Sequence, residues 1–380
     1  MLSNLKREAE SAASQTKAVK RAKIETPLLD AKSKTTTTQQ QSRPFPNEKV
    51  DRIYLACPPN VQTGGPEAMH QLCDKINAIG KSLQVSAFMM YVEDRNGIAC
   101  HVKNAKPLGA YSIYPNIQVG AEESCDGSKS LVIWPECWTN LIDSLPGSHQ
   151  NAIWWLSVDN NNGKFQQWDR KDILHLHQSE YAKCHVVKNL KKETKDNGSF
   201  NSKQVLPMTE YIPVRHLPAE FKDIPRDLEI LYNPLKGIHY TDEIRKRSEK
   251  RFRFTAIGGR KRLTPTQVTK LLHQAKVYCD FGPHPGMDRL PREAAIANCI
   301  VITNKDGAAF HDEDVPTPAR YKMGDFDVER IHKLLVESID GYEEKKKDFD
   351  SYRKWIASQE YRMDSCVKVL INSVVTERSE

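Results

Sequence analysis

The sequence lacks several things, and each shortage excludes something. No run approaches the ~20 apolar residues needed to cross a bilayer, and the opening "MLSNLKREAESAAS" has no apolar stretch of the kind a secretory leader carries. Nine cysteines are an odd number, and no two form a C-x-x-C pair. Cys57, Cys279 and Cys299 lie in or beside apolar runs, which argues against a disulfide framework and against a zinc site. A soluble protein in a reducing, cytoplasmic location is the expectation. Neither a G-x-G-x-x-G fingerprint nor a Walker loop is present. A broad basic surface is missing too. The net charge is +7, but ten basic and five acidic residues fall within residues 1–50, so the rest of the chain is close to neutral. That argues against a nucleic-acid partner.

What is present divides the chain. Residues 1–48 read as a disordered tail, rich in Lys, Ser, Thr and Gln with Phe45 as its one aromatic. "KAVKRAK" (Lys17–Lys23) fits a solvated tail, with a nuclear address or an anionic-surface patch as the alternatives. From Asp51 short apolar runs alternate with helical patterns. "RIYLAC", "LQVSAFMMYV", "LVIW", "AIWWLSV" and "DILHLH" read as strands. Met69, Leu72, Cys73, Ile76 and Ile79 share a helix face, and "PECWTNLIDSL" reads as another helix. Four prolines between Leu206 and Asp227 mark a boundary near 215–225. Alternation then restarts with "LEILYNP", "FRFTAIG", "KVYCDFG" and "IVITN" as strands. Thr264 is the expected N-cap of the helix "TPTQVTKLLHQA". The expected fold class is α/β: two doubly wound Rossmann-like domains, 49–215 and 216–350, facing a cleft, with C-terminal helices and a last one over 351–380 packing back on the body. A ligand belongs where the carboxyl ends of the two sheets meet.

Three loops fall at such ends. "PPNVQTGGPEAMHQL" follows the first strand, and its Gly64 and Gly65 allow close backbone approach before a helix N-terminus. The acidic pair Glu93–Asp94 ends the second strand, where a dinucleotide enzyme would hold a ribose, but the glycine fingerprint is absent. "YNPLKG" places Asn233 and Lys236 at a strand tip, where a lysine can meet a diphosphate or simply be an exposed turn residue. "HPGMDRLPREAA" (His284–Ala295) puts four charged residues between a buried strand and a buried helix. Gly286 lets the backbone near a ligand, the helix N-terminus favours an anion, and Arg289 and Arg292 reinforce that for a phosphate. Glu293 suits the helix dipole or sugar hydroxyls. His284 is a candidate catalytic group or a structural imidazole.

The stretch from Leu228 to about Met323 resembles the nucleotide-binding half of GT-B glycosyltransferases. It looks like a bacterial-type group, near family 4, with Y-N-P-x-K-G and H-P-G-x-D-R-x-P-R-E-A-A signatures. "PPNVQTGGPEAMHQL" and "WWLSVDN" are similar to the amino-terminal half. The resemblance implies a nucleotide-sugar donor on the second domain and a glycan, lipid or protein hydroxyl acceptor on the first. It implies no cofactor and no divalent metal. Glu293 matches the second glutamate of the E-x7-E motif, which holds the ribose. Lys236 matches a basic position near the diphosphate, and Gly64 and Gly65 match the glycine loop. Pro285 stands where the first glutamate belongs, so donor-sugar recognition is altered.

On this expectation Gly64, Gly65, Asn233, Lys236, Gly286, Asp288, Arg289 and Glu293 bind donor. Asp159, at the end of "WWLSVD", and His284 are the catalytic candidates, with Asp159 as acceptor base. "DED" (Asp312–Asp314) reads as a surface loop. A nucleotide-sugar epimerase and a non-catalytic nucleotide-sugar-binding protein are the alternatives on the same fold.

Overall fold

A computed structural model describes residues 49–120, 127, 129–193, 201–213, 221, 224–248, 251–259 and 263–375. The tail expected over 1–48 lies outside them.

Seven strands build the first sheet: β1 (Arg52–Cys57), β2 (Ser86–Arg95), β3 (Ile98–His101), β4 (Ser130–Pro135), β5 (Gln150–Trp155), β6 (Ile173–His177) and β7 (Val205–Pro207), in the order β3-β2-β1-β4-β5-β6-β7. All pairs are parallel except the β2–β3 hairpin. β5 shows no polar alternation because both its faces are covered. Ala152 and Trp154 point into one apolar core, Ile153 and Trp155 into the other. Helices α1 (Gly64–Gly80) and α2 (Glu180–Glu193) follow β1 and β6. The strand order reverses between β1 and β4, which opens a crevice at their carboxyl ends.

The second sheet is wholly parallel: β8 (Leu228–Tyr232), β9 (Phe254–Ala256), β10 (Ala275–Asp280), β11 (Ile300–Asn304) and β12 (Lys322–Met323), ordered β12-β11-β10-β8-β9. Its switch point lies between β8 and β10. Helices α3 (Ile238–Arg247), α4 (Pro265–Gln274) and α5 (Arg289–Ile296) connect its strands. Thr264 caps α4 in a full capping box: its hydroxyl accepts from Gln267 N–H at 3.3 Å, and the Gln267 side chain accepts from Thr264 N–H at 2.9 Å.

Helices α6 (Val328–Asp340), α7 (Tyr342–Lys345) and α8 (Asp350–Val375) end the described chain. α8 belongs to both lobes. Tyr352 and Ile356 pack in the second core, whereas Met363, Val367, Leu370, Ile371 and Val374 pack in the first. Lys75 of α1 ties it down through Glu360 at 2.9 Å and Asp364 at 3.0 Å.

Two expectations need correction. "PECWTNLIDSL" is not an α-helix but a 3-10 segment, Glu136–Leu141, broken at Trp138 (φ −116°, ψ 22°). The Glu136 carbonyl, which a continuing helix would use, instead accepts from Asn161 Nδ2 at 2.7 Å. Of "DED", only Asp312 and Glu313 are exposed; Asp314 is buried. Its carboxylate accepts the Glu180 and Tyr181 amides at 2.7 and 3.0 Å, capping α2 from the other lobe. Glu93 and Asp94 serve the β2–β3 hairpin, Glu93 pairing with Arg95 and Asp94 accepting from Gly97 N–H.

Candidate functional site

The loops after β8 and β10 interlock. Gly237, at φ +55°, lies so close to the second loop that an added Cβ would stand 2.5 Å from the Phe281 carbonyl oxygen. A Cβ on Gly282 would stand 2.4 Å from Lys236 Cβ. "YNPLKG" and "FGPHPG" therefore form one unit. Within it Lys236 Nζ donates to the Pro283 carbonyl at 3.1 Å and meets Asp288 at 2.5 Å. Asn233 turns its own loop, accepting from Leu235 N–H at 3.0 Å.

Asp288 also faces His284, whose Nδ1 stands 3.0 Å away; on the far side, His284 Nε2 is 3.9 Å from Asp280. Burial opposes charge on His284, but the hydrogen bond to Asp288 and the charges of Asp280 and Asp288 prevail and raise its pKa. Burial likewise opposes the Asp288 carboxylate, yet the His284 hydrogen bond and the Lys236 charge lower its pKa. Asp280, deeper, is raised by burial. Asp280, His284 and Asp288 each bring one ligand-type atom within 4.8 Å of the others. Lys236 Nζ already meets Oδ2 of Asp288 there.

The loop from His284 to Asp288 docks on the first lobe. Val158 N–H donates to the Pro285 carbonyl at 2.8 Å, and Met287 N–H donates to Gln178 Oε1 at 3.1 Å. A Cβ on Gly286 would stand 2.0 Å from the Leu156 carbonyl oxygen, so only glycine fits this approach. Buried Arg292 pairs with buried Glu210, and also donates to Gln359 at 2.9 Å.

Two cavities remain between the lobes, one of about 350 Å³ and one of about 1070 Å³. Thr63, Gly64 and Arg289 line both and form the partition. The side chain of Arg289 lies on Gly64, where an added Cβ would come within 2.9 Å of its Cδ. Its guanidinium faces three carboxylates: Glu67 at 3.2 Å, Glu293 at 3.5 Å and Glu210 at 3.7 Å. These hold its pKa above the ordinary arginine value against the cost of burial.

The smaller cavity brings together Gly64, Gly65, Gly286, Asp288 and Arg289; the larger one holds Glu293. Lys236 and His284 stand behind the wall, in contact with it through Asp288. Asn233 lines neither cavity. Asp159 lines neither as well; it is exposed and accepts from Tyr181 OH at 3.2 Å. Two carboxylates of the smaller cavity are not among the residues that the sequence singles out. Glu136, at the tip of β4, accepts from Leu156 N–H at 3.1 Å, and its burial raises its pKa to about 7. Glu210 follows β7 in "MTEYIP". A carboxylate directly after an apolar strand is the available signal for Glu136. Glu210 offers only a lone acid in an apolar segment.

No protein-family model and no curated protein matches the chain. Solved structures do. The trehalose-6-phosphate synthase OtsA superposes with a TM-score of 0.59 at 8% identity, covering 86% of this chain and 100% of its own. HepE from Anabaena, in complex with UDP and glucose, gives 0.54 at 8% identity, covering 85% and 100%. A glycosyltransferase from Rickettsia africae gives 0.53 at 12% identity, covering 87% and 100%. The chain has the GT-B fold. Two mostly parallel sheets face one another across a cleft, as the sequence pattern predicts, and at these identities the likeness speaks for the fold alone.

Proposed function

We propose that the protein is a glycosyltransferase, moving a sugar from a nucleotide-sugar donor to a hydroxyl of a glycan, lipid or protein, without a metal. The observation that carries this reading is the position of Arg289. It opens α5, belongs to the partition between two cavities, and so stands where a diphosphate joining a nucleoside to a sugar would lie. The larger cavity takes the nucleoside, with Glu293 toward the ribose hydroxyls, and the smaller takes the sugar and its acceptor. HepE holding UDP and glucose, and the E. coli trehalose-6-phosphate structure with UDP-2-fluoro glucose, support this choice of donor class.

In the transfer a bond forms between the acceptor oxygen and the anomeric carbon, and the bond from that carbon to the diphosphate oxygen breaks. Positive charge develops on the ring and negative charge on the departing phosphate. Arg289 and the amides opening α5 stabilise the latter. Lys236 contributes once the phosphate competes with Asp288 for its ammonium. Glu136, rather than the exposed Asp159, is the carboxylate placed to take the acceptor proton, since it lines the cavity and titrates near neutrality. His284 is then a positioning residue, holding Asp288.

A non-catalytic nucleotide-sugar binder is the second reading. It is favoured by the fact that Lys236 and Arg289 already face carboxylates. A thermal-shift panel of UDP-, GDP-, ADP-, CMP- and dTDP-sugars tests donor binding; a ligand at ~100 times its Kd adds about 2.7 kcal/mol. Glu293→Ala and Lys236→Ala should remove the shift, and excess EDTA should not. Turnover of the stabilising donor with acceptor present separates enzyme from binder. Turnover without acceptor would indicate an epimerase.

A further inference from the structure

Resting on the transferase reading above, we infer that the smaller cavity selects an uncharged, hydroxyl-bearing ring of monosaccharide size, and that Glu210 accepts a hydrogen bond from one of its hydroxyls. Sugar phosphates and sugar acids are excluded from it.

One buried atom points to this. Glu210 is 1% exposed, and its Oε1 is taken by Gln178 Nε2 at 3.2 Å and by Arg292. Its Oε2 makes no hydrogen bond and stands 3.7 Å from Nη1 of Arg289, which Glu67 already meets at 3.2 Å. Glu210 lines the cavity. A buried carboxylate oxygen without a hydrogen bond is costly and rare in folded proteins. A hydroxyl has a proton to give it, whereas a carboxylate or phosphate oxygen has none.

Charge points the same way. Glu136, Glu210 and Asp288 line the cavity, and Arg289 is its one cation among the described residues. That cation already faces Glu67, Glu210 and Glu293. An anionic ring would meet carboxylates with no unpaired cation to receive it. The remaining wall suits a neutral ring. Met69, Trp138 and Leu156 offer apolar surface to its C–H face, and Ser157 and Asn160 offer polar groups to further hydroxyls.

The test is titration calorimetry on the full chain, with and without saturating nucleoside diphosphate. The probes are methyl glucoside, methyl galactoside and methyl mannoside against glucose 6-phosphate and glucuronic acid. The inference expects at least one neutral ring to bind, and both anions to bind roughly tenfold or more weakly. Glu210→Gln should weaken the neutral ring about tenfold. Because that substitution also touches buried Arg292, a second variant is needed. Ser157 lines the cavity, is half-buried, and its side chain makes no capping hydrogen bond. Ser157→Leu should therefore fold, fill the space and abolish ring binding, while leaving nucleoside diphosphate binding unchanged. Equal or tighter binding of the anions, ring binding that survives Ser157→Leu, or no ring binding under either condition overturns the inference. A neutral ring that binds while no nucleoside diphosphate does would sink the transferase reading and leave this one standing.

Discussion

Glu136 is where a single residue decides most. Burial raises its pKa to about 7 against the opposing hydrogen bond from the Leu156 amide, so it changes charge within the working range of an enzyme. A base must be deprotonated, so turnover should fall as the pH drops through about 7 and level off above it. Glu136→Gln should cut kcat by about 10²–10⁴-fold with donor affinity nearly unchanged, and should flatten that limb of the pH profile. A steady-state pH profile of both proteins checks it. Asp288 makes a second residue-level case. It holds the Lys236 ammonium at 2.5 Å and so competes with any incoming phosphate. Asp288→Asn should tighten nucleoside diphosphate binding severalfold, on the order of tenfold, as read by calorimetry. Unchanged affinity would remove Lys236 from the phosphate site.

At the scale of elements, β6 carries a pH dependence of its own. Burial holds His175 and His177 neutral, with pKa values lowered from 6.5 to about 3 and about 4. The unfolded chain binds these protons first as the pH falls. Stability is therefore full above about 6.5 and declines below it, by about 1.4 kcal/mol per pH unit for each histidine. His175→Gln should make thermal melting less sensitive between pH 6.5 and 4. The HPGM loop gives a steric case. A methyl group added at Gly286 would stand 2.0 Å from the Leu156 carbonyl oxygen, so Gly286→Ala should cost about 1–3 kcal/mol and loosen the lobes. Elements are also what the sequence shows best. Strand–helix alternation locates "HPGMDR" at a strand tip before a helix because that information is local. Glu136 and Glu210 do not stand out in the sequence because their partners, Leu156 and Arg292, are brought to them only by tertiary folding. Asp314 differs from its expected exposure for the same reason: in sequence it stands in a polar run, while the amides it caps lie in the other lobe.

For the whole molecule, the lobes are joined by particular bonds rather than by broad contact alone. Asp314 caps α2, Pro285 accepts from Val158, and Arg292 reaches Glu210. Asp314→Ala should cost about 0.5–2 kcal/mol and increase the radius of gyration measured by small-angle scattering. An unchanged radius would mean that the remaining bonds suffice to keep the cleft closed. Helix α8 has a different consequence. It supplies five side chains to the core of the lobe that is synthesised first, yet it follows every strand of the second lobe. On the ribosome, the leading lobe must wait with one apolar flank bare until the second lobe and this helix have emerged. A chaperone or the trailing lobe itself would have to shield that flank, and release of the last helix becomes the event that completes both halves together.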